Sequence, residues 1–379
     1  MYQIVNAKIL TPVEELTGAV VIADGRIQTI TPSPLPGVET RDAKGKFLVP
    51  GFIDLQVNGA FGHDFTQTPE TIWQVAAGLP RYGVTSFLPT VITSPLETTD
   101  EAQRVMGIRP SPFQGAEPLG LHLEGPFLNP GKKGAHNPVY ICLPSLDWVA
   151  GWSPENHVRL VTLAPELPGA AAVIEALTSR GVVVSAGHSL ATFAEAETGI
   201  DAGIRYGTHL FNAQSPLHHR EPGLPGALLT DERVTIGLIP DGIHVHPALV
   251  KLVWQAGGNR LTLVTDAMAA LGMPPGEYEL GDFRVTVDET TCRLPDGTLA
   301  GSILSLDTAV CNLIAFTGCT LPQALTTVTT IPARLLGLDG RKGQIAPGYD
   351  ADLVLLTPDL QVAAAVVGGE VVYDVMRDA

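Results

Sequence analysis

The chain has 379 residues with 23 basic and 39 acidic side chains, a net charge of -16, and a field of that sign repels polyphosphate backbones and anionic bilayers. Nucleic acid and membrane surfaces are thereby excluded as partners. With 45% hydrophobic and only 16% charged residues, the chain lies outside the disordered class, and its length accommodates an α/β barrel plus a small second domain.

Residues 1–49 read as strands: Gln3 to Ile9 alternates, and Ala19 to Ile30 holds two β-branched runs joined by the hairpin signal Asp24-Gly25. No secretory leader is visible in MYQIVNAKILTP and no apolar run has the length of a membrane span, so the cytoplasm is the expected location. From residue 50 to 341 a short apolar strand followed by a helical pattern recurs. Strands are predicted at 52–57, 84–89, 119–123, 158–163, 182–186, 204–208, 234–239 and 260–265, with helices at 69–82, 170–180, 247–256, 302–316 and 322–336. Eight strands with right-handed crossovers predict an α/β fold, a (β/α)8 TIM-like barrel. The competing open sheet would carry a Gly-x-Gly-x-x-Gly or Walker motif, and the sequence has neither. A β-hairpin insertion is predicted near 276–295. Residues 342–379 return to short strands, and together 1–49 and 342–379 predict a small β-sandwich domain built from both termini. Cys142, Cys292, Cys311 and Cys319 show no Cys-x-x-Cys spacing and read as buried thiols.

Barrel enzymes carry their reacting groups at the C-terminal ends of the strands. Here those ends offer Gln56-Val57-Asn58 on the first strand, Glu124 on the third, His188 on the fifth, His209 on the sixth and Asp266 on the eighth. Two imidazoles and a carboxylate are the donor set of an open catalytic zinc site. Any one of these residues, taken alone, reads more readily as a satisfied core side chain. Their joint occurrence on separate strand ends is what points to a metal.

Pro50-Gly51-Phe52-Ile53-Asp54, His122-Leu123-Glu124-Gly125-Pro126-Phe127, Lys132-Lys133-Gly134-Ala135-His136, Gly187-His188-Ser189, Thr208-His209-Leu210-Phe211-Asn212-Ala213 and Thr265-Asp266-Ala267-Met268 resemble the N-acetylglucosamine-6-phosphate deacetylase family of the amidohydrolase superfamily. The resemblance extends to Lys342-Gly343-Gln344-Ile345-Ala346-Pro347-Gly348. It implies hydrolysis of the acetamide of a phosphorylated amino sugar, in amino-sugar catabolism, by a metal-activated water. Glu124, His188 and His209 would hold one divalent transition metal per subunit, with Zn2+ expected and Fe2+ or another divalent ion as alternatives. Asp266 would be the catalytic acid/base, and Asn212, Ala213, Arg220 and His244 would contact the sugar phosphate. The family also implies a homodimer in which Arg220 reaches the neighbouring subunit's site. His136 is the candidate donor to the developing oxyanion.

One departure narrows the expectation. Many amidohydrolases have His-x-His where this chain has Gln56-Val57-Asn58, and neutral amides are poor transition-metal ligands. The region 162–166 also lacks a lysine that could become a bridging carbamate. One tightly held metal is therefore expected, with Gln56 and Asn58 either supporting the groups around it or flanking a vacant second-metal position. The nearest alternative substrate is N-acetylgalactosamine 6-phosphate. A cyclic-amide hydrolase of the dihydroorotase type is disfavoured by the missing ligands, and a non-catalytic scaffold would require loss of a ligand or of Asp266. His122 and Asp54 read as structural side chains within the barrel.

Overall fold

Residues 84–92 are buried at every position, the pattern of a strand covered on both faces. In the computed structural model, which describes residues 1–11 and 15–375, this segment is the second of eight parallel strands. They are β1 (Phe52–Val57), β2 (Val84–Ile92), β3 (Leu121–Glu124), β4 (Val158–Leu163), β5 (Val183–Ala186), β6 (Tyr206–Gly207), β7 (Thr235–Leu238) and β8 (Leu261–Leu263). Each pairs in parallel with the next. The ring closes just beyond β8, where Val57 and Ala267 form a parallel bridge and the Asn58 amide donates to the Ala267 carbonyl at 2.7 Å.

Two predicted helices are interrupted, each for an identifiable reason. Residues 69–82 form a helix over Ile72–Gly78 flanked by 3-10 turns, Pro80 lying in the second. The predicted 322–336 helix is two, Leu321–Thr326 and Thr330–Leu335. Pro332 has no N–H to offer the Val328 carbonyl, which instead accepts from the Ile53 amide at 2.7 Å. The Thr327 carbonyl accepts from the Leu263 amide at 3.2 Å and from Thr262 Oγ1 at 2.8 Å. The break thus satisfies backbone groups of β1 and β8.

The chain ends meet in one eight-stranded sheet, in which Phe47–Pro50 runs antiparallel to Leu353–Leu356. Alternation along these strands sorts their side chains: Leu48 and Leu353 enter the sheet's own core with Ile9 and Ile22, whereas Val49 and Val354 enter the barrel core. At this seam Lys342 Nζ, almost fully buried, lies 2.6 Å from both Glu117 Oε2 and Asp352 Oδ2.

The predicted hairpin after β8 carries a third strand, giving an antiparallel sheet of Gly276–Leu280, Phe283–Val287 and Cys292–Arg293. Its apolar side packs on Ala135 and on Met268–Ala270, residues that neighbour His136 and Asp266. The four cysteines are unpaired; Cys292 and Cys319 are buried, but Cys142 and Cys311 are only half-buried, which corrects the expectation for those two. Among the described residues no helix is long and apolar enough to cross a membrane.

Candidate active site

β3 alternates, so His122 and Glu124 share one face. Glu124 Oε1 lies 3.1 Å from His188 Nε2 and 2.9 Å from His209 Nε2. Donor atoms of these three buried residues all fall within 4.8 Å of one another, a spacing one cation can bridge. His188 Nδ1 donates to the Lys132 carbonyl at 2.8 Å, which leaves Nε2 as the lone-pair nitrogen of the neutral ring. Burial alone would raise the Glu124 carboxyl, but the His188 and His209 imidazoles against it hold it well below the usual range. Two imidazole nitrogens and an ionised carboxylate oxygen fit a divalent transition metal.

The backbone is bent to bring these groups together. His188, His209, Ala213 and Asp266 have φ of 48°, 31°, 51° and 51°, the left-handed region that residues with a Cβ seldom occupy and that clusters at functional sites.

Asp266 Oδ1 accepts from Asn58 Nδ2 at 2.7 Å and from Gln56 Nε2 at 3.0 Å. An ionised carboxylate only accepts, so both amides turn their NH2 groups towards Asp266. The Gln-x-Asn pair therefore grips Asp266. Burial, reinforced by the Glu124 charge, pushes the Asp266 carboxyl up, against the opposing effects of His209 and Asn58.

His136 Nε2 is 3.7 Å from Glu124 Oε2. The Thr93 amide, which can only donate, points at His136 Nδ1 from 3.3 Å, and the Thr93 hydroxyl lies 2.8 Å from the same nitrogen. Nδ1 is thereby an acceptor and the ring proton sits on Nε2. Burial, with His188 nearby, pushes the His136 imidazole down to about 3, so it is a neutral donor at physiological pH.

These groups open into a cleft of about 420 Å³ lined by Asn58, Glu124, His136, His188, His209, Asn212, Ala213, His244 and Asp266. His244 Nδ1 bonds Asp241 Oδ2 at 2.6 Å, which directs its other nitrogen away from that partner. Gln56 lies behind the wall, and Arg220 is outside it: this arginine is exposed on the 215–222 loop, its guanidinium 2.7 Å from His219 Nε2. His122 is not in the cleft; Nε2 is 2.7 Å from Thr162 Oγ1 in the barrel interior, and burial pushes the ring down to about 4.

The inserted sheet and the segment following it contribute Leu280, Arg293, Thr298, Leu299 and Gly301 to the cleft, residues that the sequence had not brought into the site. The available signal was positional: an insertion following the eighth strand lies on the end of the barrel where active sites form.

Residues 47–372 match the model of the amidohydrolase family. The chain is 42% identical over 351 residues to the N-acetylglucosamine-6-phosphate deacetylase of Bos taurus, covering 89% of this chain and 86% of the relative. It is 40% identical over 354 residues to the N-acetylgalactosamine-6-phosphate deacetylase of Escherichia coli O157:H7, covering 92% and 93% of the two chains. Among solved structures, a variant of N-acetyl-D-glucosamine-6-phosphate deacetylase from Mycobacterium smegmatis, in complex with N-acetyl-D-glucosamine-6-phosphate, superposes with a TM-score of 0.89 at 35% identity, covering 98% and 99%. With the family match, the identities and the fold in agreement, the chain belongs to the amidohydrolase family and, within it, to the N-acetylglucosamine-6-phosphate deacetylases.

Proposed function

We propose that the protein hydrolyses the acetamide of N-acetyl-D-glucosamine 6-phosphate to D-glucosamine 6-phosphate and acetate, and that Glu124, His188 and His209 hold one divalent metal, zinc by the nature of the donors. The observation that carries this reading is the convergence of two imidazole nitrogens on Glu124 Oε1 in the cleft that also presents Asp266. A divalent ion in such a site lowers the pKa of a bound water towards about 7 and polarises a carbonyl.

The chain's own residues account for the proton transfers. Asp266, one oxygen clamped by the Asn58 and Gln56 amides, takes the proton of the attacking water and passes it to the amine nitrogen, because an unprotonated amide nitrogen leaves poorly. His136, neutral with its proton on Nε2, donates to the oxyanion that develops as the carbonyl is attacked. Asn212, Ala213 and His244 line the part of the cleft assigned to the sugar phosphate.

Arg220 completes the phosphate site of a second copy in a homodimer. Its exposure outside its own cleft supports this role, as do the exposed apolar side chains Val139, Leu143, Leu190 and Leu217 on connections at the same end of the barrel.

The test is acetate release from N-acetylglucosamine 6-phosphate and from its galactosamine epimer, before and after chelation and with divalent metal returned. Activity that disappears with the metal and returns with zinc, with the higher kcat/KM on the glucosamine compound, is the expected outcome. The 40% identical N-acetylgalactosamine-6-phosphate deacetylase makes the epimer the second reading, and preference for it would replace the first. No release from either compound would overturn both.

A further inference from the structure

Beneath the cleft, the barrel interior holds a carboxylate that the chemistry above does not use. Asp54, on β1 two residues before Gln56, is 1% exposed, and its hydrogen-bond donors are all neutral. Oδ2 accepts from Thr265 Oγ1 at 2.7 Å, while Oδ1 accepts from the Gln56 amide at 3.2 Å and the Thr265 amide at 3.3 Å.

Thr265 immediately precedes Asp266. Its hydroxyl has one proton, and the shorter contact assigns that proton to Asp54 over the Gln56 carbonyl at 3.2 Å. The same oxygen then accepts from the Ala267 amide at 3.2 Å. One hydroxyl oriented by Asp54 therefore ties the residues on both sides of Asp266, whose own amide donates to the Gln56 carbonyl at 3.0 Å. Between these anchors Asp266 sits at φ 51°, a strained conformation that persists only where its surroundings impose it.

We propose that Asp54 is a positioning residue for Asp266, acting through the Thr265 hydroxyl to hold the left-handed turn that presents the Asp266 carboxylate to the cleft. The inference deepens the functional reading above and rests on it for the role of Asp266. It differs from a plain structural role, in which loss of Asp54 would weaken the barrel without singling out the Asp266 step.

Asp54→Asn keeps the shape and changes the acceptor set; Thr265→Val removes the hydroxyl in a side chain of equal size, and Thr265→Ser keeps it. We expect Asp54→Asn and Thr265→Val each to lower kcat about 10- to 100-fold, the scale of a small misplacement of a reacting group, with KM and metal content unchanged. Thr265→Ser should restore kcat. In an Asp266→Asn background neither substitution should lower the residual rate further, because the group being positioned is already disabled. Crystals of Thr265→Val should show Asp266 Oδ1 displaced from the Asn58 amide that it meets at 2.7 Å here.

The proposal is overturned if both variants keep wild-type kcat, if they cost the same factor in the Asp266→Asn background, or if Asp266 is undisplaced in the crystal. If one of Asp54→Asn and Thr265→Val is too unstable to purify, the other decides by the same kinetic and crystallographic readouts. If the wild-type protein releases no acetate, the functional reading fails instead, and the position of Asp266 in the crystals decides this inference separately.

Discussion

His136 shows how much one side chain's surroundings decide. A histidine in water titrates near neutrality, but here burial and the neighbouring His188 keep the ring neutral, and the Thr93 amide settles which nitrogen bears the proton. A neutral donor can stabilise a developing oxyanion without adding a charge next to a metal held by Glu124, His188 and His209. His136→Ala is therefore expected to lower kcat by about 10²- to 10³-fold, the range for loss of one oxyanion donor, with metal content unchanged. A variant retaining more than about a tenth of wild-type kcat would assign the oxyanion to another donor. Glu124, His188, His209 and Asp266 could be picked out because each stands at or just beyond a predicted strand end, and His136, in the loop after the third strand, because it closes the Lys132-Lys133-Gly134-Ala135-His136 run that carries the resemblance. The grip of Gln56 and Asn58 on Asp266 could not, because it joins residues more than two hundred positions apart: Gln56 and Asp266 are separated by 210.

At the scale of elements, the segment after β8 is the one on which most depends. It closes the barrel, presents Asp266, and is flanked by the inserted three-stranded sheet. Gly301 lies where that sheet rejoins the barrel, at φ 64°, and a Cβ there would stand 3.0 Å from the Asp266 carbonyl oxygen and 3.2 Å from Met268 Cβ. Gly301→Ala should destabilise the protein by about 1–2 kcal/mol in urea unfolding, since the native φ disfavours any Cβ. It should also lower kcat, because the backbone that must yield carries Asp266. A variant as stable and active as wild type would show that this junction relaxes freely. The eight barrel strands could be found from their apolar runs. The break in the predicted 322–336 helix was less legible: Pro332 was visible, but the need for a free Val328 carbonyl arises only once Ile53 is placed beside it. The third strand of the insertion was missed for a similar reason: Cys292–Arg293 is too short to alternate and is defined by its partner.

At the scale of the whole molecule, a single chain presents a cleft rich in groups for the reacting amide but leaves Arg220 outside. If two copies share their sites, Asp266→Asn and Arg220→Ala chains, each poorly active alone, should regain activity when mixed and allowed to exchange. Each heterodimer then contains one site with both groups intact. Demonstrated exchange without any recovery would place Arg220 outside the neighbour's site.

The sheet formed by the chain ends also constrains how the molecule is made. Tyr2 hydroxyl bonds the Gly369 carbonyl across a separation of 367 residues, and Phe47–Pro50 waits for Leu353–Leu356 to pair with one of its edges. On the ribosome the first strands emerge long before their partners exist, so the nascent chain carries an open, apolar strand edge throughout synthesis of the barrel. Contacts of such long sequence separation form slowly, because the intervening loop must close first. Until its last strands arrive, that waiting edge is open to pairing with another chain.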